Sequence, residues 1–233
     1  MDRRDFIRVC ATGIAAGGMP APALAQGAAA RFYGRAKLVD SQGKPLSASA
    51  LPVQKNLIFQ YPFASTPCFL INLGKPARTS TRLMTATNQA YEWKGGAGPT
   101  GSIVAYSAIC AHQLAYPTRE ISFISFRAES SARNKFSQVI HCCAEHSQYD
   151  PAQGGRVLAG PAPQPLAAIL LEHDPKSDEL FATGTLGGEM FNQFFAKFEF
   201  KLAMEHGGAA RKAVTGTTVV SELDNYCRQQ VRC

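Results

Sequence analysis

The chain has 233 residues, of which 45% are hydrophobic and 18% charged, with a formal net charge of +7. That length carries one substantial core, or a core plus a small subdomain. The basic balance includes no tight Lys/Arg cluster and no base-stacking motif, which excludes nucleic acid as the natural partner.

The first residues read as an address. Asp2-Arg3-Arg4-Asp5-Phe6-Ile7 resembles a twin-arginine export signal, and Ala23-Leu24-Ala25 has the small-x-small pattern of a cleavage site. Between them, Val9 to Ala25 contains Thr12, Gly17-Gly18 and two prolines, a poor spanning helix where a bilayer needs about 20 apolar residues. Residues 1–25 are therefore expected to be a removed signal, leaving a periplasmic protein that spans no membrane. Removing three Arg and two Asp with it leaves 21 basic and 15 acidic side chains, net +6. Such a surface suits acidic partners.

Residues 26–55, rich in Ala, Gly, Ser and Pro, read as an extended lead-in. Strand-like runs follow at Asn56–Gln60, Cys68–Leu73, Ile103–Ile109, Gln138–Cys143, Ala168–Glu172 and Glu179–Thr183. Asp174-Pro175-Lys176-Ser177-Asp178 is a hairpin turn by composition. Short strands without alternating helices imply an all-β fold of antiparallel sheets. A polar insert from Thr118 to Lys135 contains Ile121–Phe126, which reads as an extra strand pair.

After Gly187-Gly188, residues 189–233 are expected to form a C-terminal helix and tail. Phe191, Phe194, Phe195, Phe198 and Leu202 fall at helical spacing, with Glu189 opening the helix and His206 closing it. The stripe reads as a face packed on the sheets, ahead of a docking face for a larger subunit. Gly207–Gly216 reads as a linker.

The chemistry lies in two short loops, residues 110–116 and 141–150. Cys110-Ala-His112 and Cys143-Ala-Glu-His146 each pair one thiol with one imidazole. Structural zinc sites more often pair Cys with Cys and His with His. One Cys and one His from each loop suits a [2Fe–2S] cluster with sulfur ligands on one iron and nitrogen ligands on the other. Of the remaining cysteines, Cys68 reads as a buried inert thiol, with a disulfide to Cys142 as the lesser alternative, while Cys227 and Cys233 are spaced for a small disulfide loop. His141 reads as a bystander beside the second loop and His173 as solvated.

With Tyr149-Asp150-Pro151, Gly154-Gly155 and Gly160-Pro161-Ala162-Pro163, the loops resemble the Rieske iron–sulfur family. That resemblance spans about residues 56–188. It implies a cluster-binding subdomain, one [2Fe–2S] cluster per chain, and ligands Cys110, His112, Cys143 and His146. Ser147 and Tyr149 would hydrogen-bond cluster and ligand sulfurs, with Gly160, Pro161 and Pro163 (loop 160–163) as a cover. Ferric, sulfide and thiolate charges cancel in such a centre, which raises its potential to about −150 to +300 mV.

The chain departs from the family in two respects. Ala115 and Glu145 stand where quinol-oxidising members have their bracing disulfide. The second loop is also one residue short. Counting back from Tyr149 gives Cys142 in place of Cys143 and Glu145 in place of His146, whereas the Cys-x-x-His spacing favours Cys143 with His146.

The function implied is single-electron relay from a larger oxidoreductase subunit to a c-type cytochrome. The small subunit of arsenite oxidase is the most similar layout. Rival readings are a quinol-oxidising subunit of a bc-type complex, a cluster-free structural subunit and a zinc-stabilised binding domain. No nucleophile–base pair or phosphate loop marks the chain as a stand-alone enzyme.

Overall fold

The computed structural model describes residues 30–131 and 135–233, so the expected export signal lies outside the described residues. In chain order the strands are β1 (Arg31–Val39), β2 (Leu57–Gln60), β3 (Pro67–Asn72), β4 (Thr81–Met84), β5 (Ala90–Trp93) and β6 (Ile103–Ser107). The insert and second loop contribute β7 (Ile121–Ser122), β8 (Ile124–Arg127), β9 (Val139–Cys142), β10 (Ser147–Asp150) and β11 (Arg156–Ala159). β12 (Ala168–Asp174) and β13 (Glu179–Leu186) precede the helix α1 (Phe191–His206). The tail adds β14 (Gly216–Val219), β15 (Ser221–Glu222), the short helix α2 (Leu223–Tyr226) and β16 (Gln229–Gln230).

The protein is all-β, with antiparallel pairing through most of two sheets and one long C-terminal helix. Eight strands form the larger sheet in the order β14-β1-β13-β12-β6-β3-β2-β15, and a second sheet runs β11-β10-β9-β8. β3 and β6 are buried on both faces, which explains why they read as continuous apolar runs. One face of the large sheet, including Leu38, Phe59, Cys68, Leu70 and Ala105, packs into its own cluster. From the other face Phe69, Ile71, Val104 and Tyr106 meet Ile124, Phe126, Ile140, Cys142 and Tyr149 of the second sheet.

Several expectations need correction. Residues 31–39 are not a lead-in: β1 pairs with β13, and Ala36 and Leu38 point into the core, an alternation hidden among small and basic residues. β7 and β8 do not pair with each other; β8 pairs with β9 and β7 with β16. The tail folds back on the large sheet, where β14 runs parallel to β1 and β15 pairs with β2. Glu189 lies outside α1, where its carboxylate accepts from Arg31 Nη1 at 2.9 Å and Tyr33 Oη at 3.0 Å. The turn at 174–178 forms as read, with Asp174 accepting from Lys176 N and Ser177 Oγ.

The aromatic stripe of α1 packs inward. Phe191, Phe194, Phe195 and Leu202 cluster with Ile109, Leu114 and Tyr116, the residues that flank Cys110 and His112. Phe194 meets the Tyr116 ring edge-on at 4.8 Å, and Lys197 Nζ donates to Gln113 O at 2.8 Å. Helix α1 is therefore the buttress of the first loop.

Candidate metal centre

The first loop leaves β6 and turns within a few residues. Cys110 N donates to Ala115 O and Leu114 N to Cys110 O, with Leu114 in the left-handed region at φ 63°. Cys110 is fully buried. The backbone N–H groups of His112 and Gln113 donate to its sulfur, and Tyr149 Oη lies 3.3 Å away.

The second loop joins β9 to β10, which pair with Cys142 opposite Ser147. Side chains alternate faces along a strand, and this decides the cysteines. Ile140 and Cys142 point into the core, while His141 and Cys143 face the opposite side, where both meet Cys233. The thiol beside Cys110 is thus Cys142. Its sulfur receives the N–H groups of Ala144 and Glu145, the residues two and three positions on, matching the arrangement around Cys110.

The Cys110–Cys142 pair holds its charge unevenly. Cys110 is pushed down to about 6, chiefly by the hydrogen bond from the Cys142 thiol, with Tyr149 and backbone N–H groups helping against burial. The Cys142 thiol is held up by that same bond and by burial. Two buried thiols in contact, each facing two N–H donors, form a cradle for negative sulfur.

Cys143, expected as the second thiolate, has no free thiol, because it is disulfide-bonded to Cys233 with a Cα–Cα separation of 5.7 Å. The expected Cys227–Cys233 pairing is corrected by the same bond. Cys227 is free and buried, its thiol donating to Gln229 O at 3.0 Å. The Cys-x-x-His spacing favours Cys143 over Cys142, and the structure reverses that preference. The alternation of Ile140 with His141 was the signal that places Cys142 inward. Cys68 is free, in the opposite core from Cys142, and donates to Tyr61 O.

His112 is half-buried, and its Nδ1 is buried without a hydrogen-bond partner. Ser147 is fully buried and its Oγ likewise has no partner. Tyr149 Oη accepts from Ala111 N at 3.2 Å as well as contacting Cys110 Sγ. His146 is exposed, takes φ 57°, and sets its ring 5.9 Å from that of His141. His173 is not simply solvated; its Nε2 lies 2.9 Å from Asp178 Oδ1.

Gly160 sits directly on the second loop. A Cβ there would come 2.5 Å from Ser147 Cα and 2.6 Å from His146 O, at φ +89°, so only glycine permits the approach. Pro161 and Pro163 are exposed, while Ala162 between them packs on the core. Asp150 organises the link below. Its carboxylate accepts from Ala152 N and Gln153 Nε2, and Tyr106 Oη donates to Pro151 O at 2.7 Å.

These features fit a [2Fe–2S] group. The paired sulfurs offer two thiolates, His112 Nδ1 is a buried nitrogen awaiting a partner, and Ser147 Oγ is a buried donor awaiting an acceptor. A second set of donors, His141, His146 and Cys233, brings ligating atoms within 4.8 Å of one another. Cys233, however, is held in the disulfide and offers no thiolate.

No family model matches the chain. Among solved structures, it is similar to the soluble domain of the Rieske protein II (soxF) from Sulfolobus acidocaldarius. The two are 26% identical over 68% of this chain and 82% of that one, with a TM-score of 0.45.

Proposed function

We propose that this protein is a Rieske-type single-electron carrier, with Cys110 and Cys142 as the thiolate ligands and His112 and His146 as the imidazole ligands of one [2Fe–2S] cluster. The observation that carries the reading is the buried Cys110–Cys142 pair. Each sulfur faces backbone N–H groups of its own loop, and Tyr149 Oη stands beside one of them.

When bound, the cluster supplies a reversible one-electron couple whose potential is raised by nitrogen ligation at one iron. The chain's own residues do the rest. The N–H groups of His112, Gln113, Ala144 and Glu145, with Tyr149 Oη, stabilise negative charge on the ligand sulfurs and so favour the reduced state. Gly160 lies over the second loop, and α1 holds the first, limiting water access from those sides. Histidine ligands at the exposed end leave an imidazole edge for electron exit and for proton uptake.

In this reading the carrier works in the periplasm after twin-arginine export. It accepts electrons from a larger oxidoreductase subunit and passes them to a c-type cytochrome, for which the +6 charge of residues 26–233 supports an acidic docking partner. Among the described residues no helix is long and apolar enough to cross a membrane.

Iron and acid-labile sulfide analysis of anaerobically purified protein, with the paramagnetic signal of its reduced state, tests the function. Two irons and two sulfides per chain are expected. Cys142→Ser should abolish both and Cys143→Ser should keep them. Retention of the cluster in Cys142→Ser would refute the thiolate assignment, and iron-free protein after reconstitution would refute the function. His146→Ala should lose the signal and Glu145→Ala and His141→Ala should keep it. A reversed pattern between His146 and Glu145 would move the fourth ligand to Glu145, the residue that counting back from Tyr149 selects.

A further inference from the structure

The tip of the second loop faces outward. Ala144, Glu145 and His146 are all exposed, and Ala115 and Glu145 leave no cysteines to tie it to the first loop. What reaches it instead is the end of the chain. From Cys227 onward the tail zips along the insert: Arg228 N donates to Arg119 O, Gln229 N to Glu120 O and Val231 N to Ser122 O. Arg127 Nη2 holds Val231 O, and Ser131 Oγ donates to Cys233 O. The last residue then bonds to Cys143, 90 positions earlier, with its sulfur 3.5 Å from His141 Nε2. The Cys143 backbone is held from the same insert, its N–H donating to Phe123 O at 2.6 Å.

We propose that Cys233 is a positioning residue for the metal centre, acting through Cys143. The inference rests on Cys110 and Cys142 being the ligand thiolates. Cys143 follows Cys142 directly and points the other way, so pinning its side chain to the tail fixes the strand end that aims Cys142 Sγ at Cys110. The same pin orients the Ala144 and Glu145 amides that face the Cys142 sulfur. The terminal disulfide thereby supplies the restraint that a loop-to-loop disulfide would otherwise give. It does so from the outer face, where the Cys233 sulfur lies within 4.8 Å of the ring nitrogens of His141 and His146. Helix α1 supports the first loop and the tail the second, so residues 189–233 hold both halves of the site.

The test is made on the full chain. Peptide mapping after alkylation under denaturing, non-reducing conditions should recover Cys143 linked to Cys233. Recovery of Cys143 as a free thiol overturns the proposal, whether or not variants fold. In Cys233→Ser, hydrogen exchange at Ala144, Glu145 and residues 229–231 should accelerate by ~10-fold or more, with β3 and β6 unchanged. The reduced-state paramagnetic spectrum should broaden or shift while iron content is retained, and Cys227→Ser should reproduce the wild-type spectrum. Wild-type exchange and spectrum in Cys233→Ser overturn the positioning role. Iron-free protein with the mapped link and faster loop exchange supports the brace while removing the cluster reading, so the two failures are distinguishable.

Discussion

Tyr149 Oη and Cys110 Sγ lie 3.3 Å apart in the buried centre of the molecule, on two different loops. The hydroxyl also takes the Ala111 N–H at 3.2 Å, so one side chain from β10 ties the second loop's strand to the first loop's turn. Tyr149 is fully buried, and burial holds its hydroxyl protonated. Protonated, the hydroxyl can donate to the Cys110 sulfur beside it.

Tyr149→Phe removes that donor and leaves the Ala111 N–H without its acceptor. A hydrogen bond to a charged group is worth about 1.5–3 kcal/mol, and only the part that differs between redox states moves the potential. Midpoint potential is expected to fall by on the order of tens of millivolts, at ~59 mV per tenfold change in a one-electron equilibrium. Protein-film voltammetry on the reconstituted variant checks the direction, and a rise would contradict the role assigned to Tyr149.

Gly160→Ala tests the cover loop. The new methyl would meet backbone atoms of Ser147 and His146 at 2.5–2.8 Å and would occupy φ +89°, a conformation that costs a non-glycine residue about 1–3 kcal/mol before any clash. Chemical denaturation should show at least that loss, with accelerated iron release. Gly208→Ala, where a Cβ meets nothing within 4 Å, should be close to neutral.

Opening the Cys143–Cys233 bond removes a cross-link between residues 90 apart. The chain-entropy model assigns such a loop about 4–5 kcal/mol, and measured disulfides more often give about 2–4 kcal/mol. Urea midpoints of Cys143→Ser/Cys233→Ser protein should fall accordingly, and an unchanged midpoint would show that the tail's backbone pairing alone carries the restraint.

Acid stability should depend on Asp178. Its carboxylate accepts from Ser47 Oγ at 2.5 Å and Ser49 N at 3.0 Å and contacts His173 Nε2, and the Ser47 bond is the largest cause of its lowered pKa. A carboxyl depressed in the fold contributes stability that is present above its unfolded value, about 3.9, and is lost as pH falls through the folded one. Thermal midpoints of Asp178→Asn and wild type should therefore differ most near neutrality and converge in strong acid. A gap that widened with acidification would reverse the sign.

β2, β3, β6, β12 and β13 were readable because each is an apolar run bounded by polar or turn residues. The turn at 174–178 announced its hairpin, and the Phe stripe its buried helix. β1 was not legible, because Arg31, Arg35 and Lys37 interrupt its inward residues and its partner β13 lies about 150 residues away. Ile121–Phe126 reads as strand, but the partner of β7 was not legible: two-residue strands have no period, and only the tail's long return brings β16 beside it.

By itself the sequence determined the kind of donors present: a Cys and a His near each end of two short loops, a Ser and a Tyr two residues apart, and a glycine where the cover must come close. Those are properties of residue type and local spacing. Apolar Ile140, two residues before Cys142, only hints at which of two adjacent cysteines faces Cys110; the tertiary structure decided it, and decided which one Cys233 captures. Neighbouring side chains on a strand point to opposite sides. Which side becomes core, and what arrives on the other, is settled only when distant segments pack.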